Sequence, residues 1–577
     1  MKTAKSKRAI MLVLVAASLA IYAFHSSSLI VYAYDDAFIS FRYAENLANG
    51  HGLVYNVGER VEGYTNFLWT VILAGAIKLG RDPLIVAKAL GILFALATMA
   101  LTVFFSAFVT GQEGWRSVLP MLFLACSGPF VAWAQWGLEG GMFTFFALLG
   151  LFLFLRALRT GASFAFSSIL FLVAAMTRPE GTIFFAVCLA YYLLLVHRAK
   201  KLKAGSDQLE RGDAAANAAG NAAANAARPI DLANLVHPDQ LPIRLTQLIA
   251  PFAVVYAFYY GWRFSYYGYP YPNTYYVRMA GSIGAYFDQW ARGLKYIFDF
   301  AWRGGGVVIV ILIGLLWIAY RPTRRSMLSF LSVFCLIPIG YSMHVGGDSK
   351  HLYRLLMPYL PILYILAGHS LSGVFHLAVK TKTSERMRRL ATAVFATFVG
   401  LLMLYTYYFP TLLYFSGGQR GFPGWELLRG RTAAYEAVLG YERQKRLVGE
   451  WLRRHAAKST TIATTVAGVT PYYSKLHTYD MLGVTDVHIA HTEPQPHRIV
   501  SVDLKASGLH RPDGIVENIL ITSHLKSDNE YIIRQNPTLV LEGYDIAFRN
   551  AGYKRFRLPT EEFTQYYFAR QEVEFVP

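Results

Sequence analysis

Residues 9–52 read AIMLVLVAASLAIYAFHSSSLIVYAYDDAFISFRYAENLANGHG, an apolar run that continues to about residue 34 and there meets two adjacent carboxylates, Asp35 and Asp36. A run of that length meets the roughly 20 apolar residues that a bilayer span requires. It is longer than a secretory h-region of about 7–15 residues, so a retained first helix is expected despite the basic start MKTAKSKR. Acids beside hydrocarbon are costly, and where they persist they belong to sites. An N-cap role for a helix beginning at Ala37 accounts for one aspartate and leaves its neighbour without a reason.

The rest of the chain fits this start. Of 577 residues, 54% are hydrophobic and only 16% charged, against about 25% charged in soluble domains. Mean hydropathy is +0.33. The net charge of +19 comes from Lys and Arg gathered in short loops: residues 2–8, HRAKKLK at 197–203, RPTRR at 321–325 and KTKTSERMRRL at 380–390. That is the positive-inside pattern of a multi-pass membrane protein. No basic segment is interleaved with stacking aromatics on a soluble domain, which excludes nucleic acid as a partner. Cys126, Cys188 and Cys335 lie far apart inside apolar runs and read as buried apolar residues without disulfide or metal spacing.

Apolar runs recur near 9–31, 66–80, 84–109, 117–134, 140–158, 163–177, 180–196, 242–261, 304–320, 326–343, 355–378 and 389–409. The basic loops set the cytoplasmic side, so the loop carrying Asp35 and the turn carrying Glu139 share the outer face. An even number of crossings must separate them, yet three runs intervene. The shortest, 66–80, is therefore expected to be a partial helix, leaving about eleven crossings. Residues 203–240 contain AAANAAGNAAANAA, a low-complexity stretch read as a flexible cytoplasmic loop. Residues 1–410 are the membrane module, and residues 411–577, with β-rich runs such as TTIATTV and EYIIRQNPTLVLEG, are an extracytoplasmic α/β domain.

On that topology the polar chemistry gathers outside. The first outer loop offers Asp35, Asp36, Arg42, Glu45, His51, Glu59, Arg60, Glu62 and Asn66, the second Glu139, and the third Arg178 and Glu180 within TRPEG. WRFSYYGYPYPNTYYVRM at 262–279 combines tyrosines with Asn273 and Arg278. An interfacial aromatic belt explains the tyrosines, whereas Asn273 and Arg278 fit sugar and phosphate contacts better. SMHVGGDSKHLYRLLMP at 342–358 crowds His344, Asp348, Lys350, His351 and Arg354 beside two glycines that allow tight backbone near an anion. No Walker A loop, Rossmann glycine pattern, HExxH or CxxC stands in a convincing context, so a substrate has to arrive already activated or move down a gradient.

With these segments assembled, the chain resembles the GT-C superfamily of membrane glycosyltransferases, which take sugars from polyprenyl-phosphate carriers. DDAFISFRYAENLANGHGLVYNVGERVEGYTNFLW (35–69), YPNTYYVRM (271–279), GGDSKHLYRLLMPYLP (346–361) and TTVAGVTPYYSKLHTYDMLGVTDVHIAH (464–491) look like segments of the terminal β-(1→2)-arabinofuranosyltransferases of actinobacterial cell-wall arabinan. The resemblance implies a polytopic α-helical GT-C fold in the bacterial cytoplasmic membrane with its active site outside. It also implies a polyprenyl-phosphate sugar donor, here arabinofuranose, and a polysaccharide or lipid-linked glycan acceptor. In the inverting transfer that follows, Asp35 takes the acceptor proton while Asp36 orients the acceptor or holds an arginine. Arg278, Lys350, His351 and Arg354 are the phosphate-binding candidates. Arg42, Glu62, Asn66, Glu139, Asn273, Tyr275, Tyr276, His344 and Asp348 are the sugar- and acceptor-binding ones. No spacing demands a metal, although Glu62 with Glu139 offers a place for a divalent cation. A transporter or flippase of lipid-linked saccharides also sets charges at membrane depth, but it commonly shows internal repeats and broken mid-membrane helices, and no repeat is evident here. A non-catalytic glycan-binding subunit is the remaining alternative.

Overall fold

A computed structural model describes residues 2–211, 240–279, 283–303, 325–348, 352–380, 384–413, 433–493, 526–542, 546–560, 563 and 565–576. The apolar run at 304–320, residues 212–239 of the Ala/Asn-rich segment, and Lys350 with His351 lie outside the described residues.

The first part is helical. It runs α1 Lys2–Leu29, α2 Asp35–Ala48, α3 Phe67–Lys78, α4 Pro83–Thr110, α5 Trp115–Cys126, α6 Gly128–Gln135, α7 Gly140–Thr160, α8 Ala165–Thr177, α9 Gly181–Arg211 and α10 Leu241–Tyr267. It continues with α11 Asn273–Arg278, α12 Ile283–Arg303, α13 Arg325–Phe334, α14 Ile337–Val345, a 3-10 turn at Arg354–Tyr359, α15 Leu360–Lys380 and α16 Glu385–Leu413. Among the described residues, 8 helical segments are long and apolar enough to cross a membrane, and the pair α5 and α6, bent by 64°, makes a ninth. This is a multi-pass membrane protein. The bend falls at Ser127-Gly128-Pro129, where proline removes a donor and restricts the residue before it. Every residue of α6 is buried.

Helix ends show how the chain is threaded. Glu139 precedes α7 and Arg178 follows α8, and their ion pair of 2.6 Å puts both at one end of the bundle. The two helices therefore run out and back, although α8 has only 13 residues. Helix α3, with 12 residues, spans about 18 Å, short of the roughly 30 Å hydrocarbon core. It starts at Asn66, which donates to Glu139 at 2.6 Å. The helix that follows it starts from the same end, since Lys88 Nζ near the beginning of α4 donates to the Ile30 carbonyl oxygen at 2.5 Å. The partial helix that loop parity requires at 66–80 is α3. Gly91 on α4 lies against the broken span so closely that a Cβ there would sit 1.7 Å from the Ala134 carbonyl oxygen.

The C-terminal part comprises α17 Ala433–His455, β1 Thr461–Thr464, α18 Val469–Ser474, β2 His477–Asp480, α19 Val487–His491, α20 Asn529–Gln535, β3 Leu539–Val540, α21 Ile546–Asn550, β4 Lys554–Arg557 and β5 Tyr566–Ala569. The sheet has the order β2-β1-β3-β5-β4. Strand β1 pairs parallel with β2 and β3, whereas β5 pairs antiparallel with β3 and β4. Val448, Trp451 and Leu452 of α17 pack on Ile462, Leu539, Leu558 and Tyr567 to form one core.

Two sequence expectations are corrected. EYIIRQNPTLVLEG is a strand only at Leu539–Val540, and its first half is α20. Asp528 caps that helix by accepting from Tyr531 N at 2.8 Å, and Asn536 ends it at φ 53° just before Pro537. These are ordinary start and stop signals that outweigh the β-branched run. The loop assigned to 203–240 begins later than expected, because α9 continues to Arg211.

Candidate active site

The site forms where α2, α6, α7, the α8–α9 turn and the 3-10 turn meet the C-terminal domain. Asp35 and Asp36 occupy the first turn of α2, behind an extended Tyr34 whose side chain makes no capping bond. Neither acid is the N-cap, so the capping alternative does not account for the pair. A carboxylate in the first helical turn is favoured by the helix dipole.

The two aspartates face different parts of the protein, as neighbours about 100° apart on a helix must. Asp36 pairs with Arg354 at 3.1 Å, and Arg354 Nε donates to Asp348 at 2.9 Å. Arg278 approaches the other Asp348 oxygen at 4.0 Å. The Arg354 guanidinium lies 5.4 Å from the Trp133 ring centre. Leu352 and Tyr353, immediately before it, hold φ of 59° and 50°, a left-handed backbone that bulky residues adopt only under constraint. The constraint is visible: Trp133 Nε1 donates to the Leu352 carbonyl oxygen at 3.1 Å and Tyr353 donates to Asp299 at 2.7 Å. Asp35 turns the other way, and its Oδ1 accepts from the Val469 amide at 2.7 Å.

A second polar chain adjoins the first. Ser40 and Thr70 donate to Asn66 Oδ1, each at 3.1 Å. Asn66 donates to Glu139, Glu139 accepts from Arg178, and Arg178 pairs with Glu180 at 2.7 Å. Tyr341 donates to Glu180 at 2.9 Å. A small cavity is lined by Glu139, Arg178, Glu180, Tyr341 and Arg354, with Trp133, Phe143 and Tyr359 as apolar walls. Through Arg354 it adjoins Asp36. The described residues of the cluster include three arginines, Arg178, Arg278 and Arg354, and four carboxylates, Asp36, Glu139, Glu180 and Asp348.

Other sequence candidates are placed elsewhere. Arg42 is buried with all five guanidinium donors engaged: Tyr55 O at 2.8 Å, Pro471 O at 2.9 Å, Thr478 Oγ1 at 3.4 Å, Asn56 Oδ1 at 3.0 Å and Leu476 O at 2.8 Å. It joins the first loop to the C-terminal domain. Glu62 is paired with Arg263 through three contacts of 2.8–2.9 Å, both side chains 6% exposed. Burial lifts the Glu62 carboxyl to about 7 against the pull of Arg263. Asn273 donates its amide to the Glu62 carbonyl at 2.9 Å and its side chain to Gly483 O at 3.3 Å. Tyr275 stacks on Tyr271 at 4.4 Å, and Tyr276 contacts His491 of the C-terminal domain at 4.3 Å. His344 is exposed at the end of α14, and its carbonyl oxygen accepts from Gln289. Glu62 and Glu139 each engage a different arginine, and no group of three or more His, Cys, Asp or Glu side chains that could hold a metal occurs among the described residues.

Arg178 and Glu180 were visible in TRPEG but had no partner to promote them until the fold brought Glu139 alongside. Arg263 opens the aromatic segment at 262–279 without a visible partner, and Tyr341 sits inside an apolar run. Val469 acts through its backbone, which leaves no residue-type signal.

The helical bundle with its small C-terminal sheet domain defines a membrane protein of the GT-C fold. Among solved structures, ArnT from Cupriavidus metallidurans bound to undecaprenyl phosphate matches over 96% of this chain and 97% of its own, with a TM-score of 0.53 at 11% identity. The archaeal oligosaccharyltransferase AglB from Archaeoglobus fulgidus, in complex with an inhibitory peptide and a dolichol-phosphate, matches 81% of this chain and 65% of its own at a TM-score of 0.44 and 10% identity. At such identities the likeness concerns the fold. Residues 433–575 match a domain of unknown function, DUF8728. No curated protein matches the chain by sequence.

Proposed function

We propose that this protein is a glycosyltransferase that moves a sugar from a polyprenyl-phosphate carrier to an acceptor hydroxyl on the outer face of a bacterial cytoplasmic membrane, inverting the anomeric centre. The observation that carries the reading is the split of the aspartate pair: Asp36 on Arg354 beside the Glu139–Arg178 cavity, and Asp35 turned toward the C-terminal domain. A lipid-borne donor reaches the first side and a water-borne acceptor the second. The GT-C fold shared with ArnT, solved with undecaprenyl phosphate, supports a lipid phosphate as leaving group.

In the reaction, the acceptor oxygen attacks the sugar C1 and Asp35 accepts its proton. The bond from C1 to the phosphate oxygen breaks with its electron pair, releasing the polyprenyl phosphate. The phosphate gains one negative charge, so it calls for cations rather than an acid. Arg354, Arg178 and Arg278 are the described candidates, with Lys350 and His351 adjoining them in sequence. As charge develops, Arg354 exchanges Asp36 for phosphate oxygens, a bidentate contact suited to guanidinium. Tyr275 and Tyr276 flank the acceptor approach with the C-terminal domain. The sequence segments favour arabinofuranose as the sugar and a surface polysaccharide or lipid-linked glycan as acceptor.

The test uses purified full-length protein in lipid with polyprenyl-phosphoryl arabinofuranose and an oligosaccharide acceptor. Acceptor-dependent release of polyprenyl phosphate is expected, and Asp35→Asn should abolish it. Release unchanged by substitutions at both Asp35 and Asp36 would overturn the assignment. A panel of other polyprenyl-phosphoryl sugars decides the donor.

A further inference from the structure

Helix α2 is read on two faces by two different parts of the molecule. Asp36 and Ser40, one turn apart, face the membrane module through Arg354 and Asn66. Asp35, Phe38, Arg42 and Glu45, at spacings of three, four and three residues, face the segment from Gly468 to Leu476 of the C-terminal domain. Phe38 contacts Tyr472 and Tyr473 at 5.6 Å each, Arg42 donates to Pro471 O and Leu476 O, and Glu45 pairs with Lys475. The contact is tightest at Asp35. A Cβ on Gly468 would lie 2.0 Å from the Asp35 carbonyl oxygen and 2.5 Å from its Oδ1, so only glycine allows this approach.

We propose that the C-terminal domain holds the Asp35 carboxylate in its working orientation through the Val469 backbone amide, so that the site is incomplete until that domain is seated on α2. This rests on the proposed function, in which Asp35 is the base. The domain then does more than present an acceptor: it fixes the atom that receives the proton. Val469 is a positioning residue, because it acts only through Asp35. An amide donating to one carboxylate oxygen fixes the rotation of the group and favours the ionised form, the form that can accept a proton.

Among the described residues, Tyr55 of the first loop and Tyr441 and Lys445 of α17 also face Asp35, with Glu542 paired to Lys445 and Asp36 held by Arg354 on the same helix. Burial pushes the Lys445 ammonium down to about 8, against the pull of Asp35. A test must leave all of these in place.

Val469→Pro does so. The residue is the first of α18, a position where proline is tolerated because its N–H has no helical partner. Val469→Ala keeps the N–H and is the reference for the lost side chain. Full-length variants in lipid are compared for kcat, donor KM and the pH profile of kcat/KM. V469P is expected to lower kcat at least tenfold relative to V469A, to move the acid limb upward by about one pH unit, and to leave donor KM within about threefold. Equal kcat and equal acid limbs in the two variants would overturn the proposal. If V469P fails to fold, as hydrogen exchange in β1 and β2 would show, Gly468→Ala gives a second reading of the same limb, and an unmoved limb there also overturns it. The two readings fail separately: an active Asp35→Asn enzyme removes the base, whereas an inert Asp35→Asn with V469P matching V469A removes only the positioning.

Discussion

Asp35 and Asp36 are adjacent in sequence and opposite in circumstance. Asp36 is tied to an arginine that also binds Asp348, and that ion pair occupies the carboxylate. Asp35 accepts a backbone amide of the C-terminal domain, and in the proposed reaction it is the carboxylate that meets the acceptor. Asp35→Asn is expected to lower kcat by about 10²–10⁴-fold. Asp36→Asn should cost about tenfold, or about 1.4 kcal/mol, because Arg354 keeps Asp348. Steady-state assay of both variants on one donor checks the ranking. The sequence marked the pair as a candidate, since two acids beside an apolar run exceed what a cap requires. Their division was not legible, because partners more than 300 residues away impose it.

At the scale of elements, long apolar spans were readable because composition alone specifies them. The first-loop salt bridge was not, since Arg263 sits within an apolar helix and reads as an interfacial charge. With Glu62 it forms a buried pair, and removing one partner leaves an uncompensated charge costing about 3–5 kcal/mol. Glu62→Gln is thus expected to lower the thermal midpoint markedly, while Glu62→Leu combined with Arg263→Met should recover most of it. Differential scanning fluorimetry of both variants in detergent decides whether Glu62 is a structural pair. Helix α3 is a further case. Its length was ambiguous by hydropathy, yet loop-charge parity required a partial helix, and the contacts of Asn66 and Lys88 return the chain to the same end. A reporter fused at residue 81 should report the same side as one fused at residue 60, and opposite sides would reject the threading.

For the whole molecule, the C-terminal domain carries its own pH dependence. Burial lifts the Asp480 carboxyl from 3.8 to about 6, although Leu482 N, Thr485 N and Thr485 Oγ1 donate to it. A carboxyl raised on folding stabilises the domain fully below its unfolded value near 4, and that stability is lost as pH rises through about 6. Protection of β2 in hydrogen exchange should fall over that window by up to about 1.4 kcal/mol per pH unit, and Asp480→Asn should flatten the slope. The sequence by itself determined the membrane class and most of the long apolar helices, because apolar length is a local property that each segment carries alone. It also marked Asp35, Asp36 and Arg354 as chemistry. Only the tertiary structure decided that Arg42 and Glu62 hold the scaffold, that Arg178 and Tyr341 line the cavity, and that a backbone amide reaches Asp35. Those roles depend on which donors meet which acceptors across hundreds of residues, and pairing at that range is settled by packing.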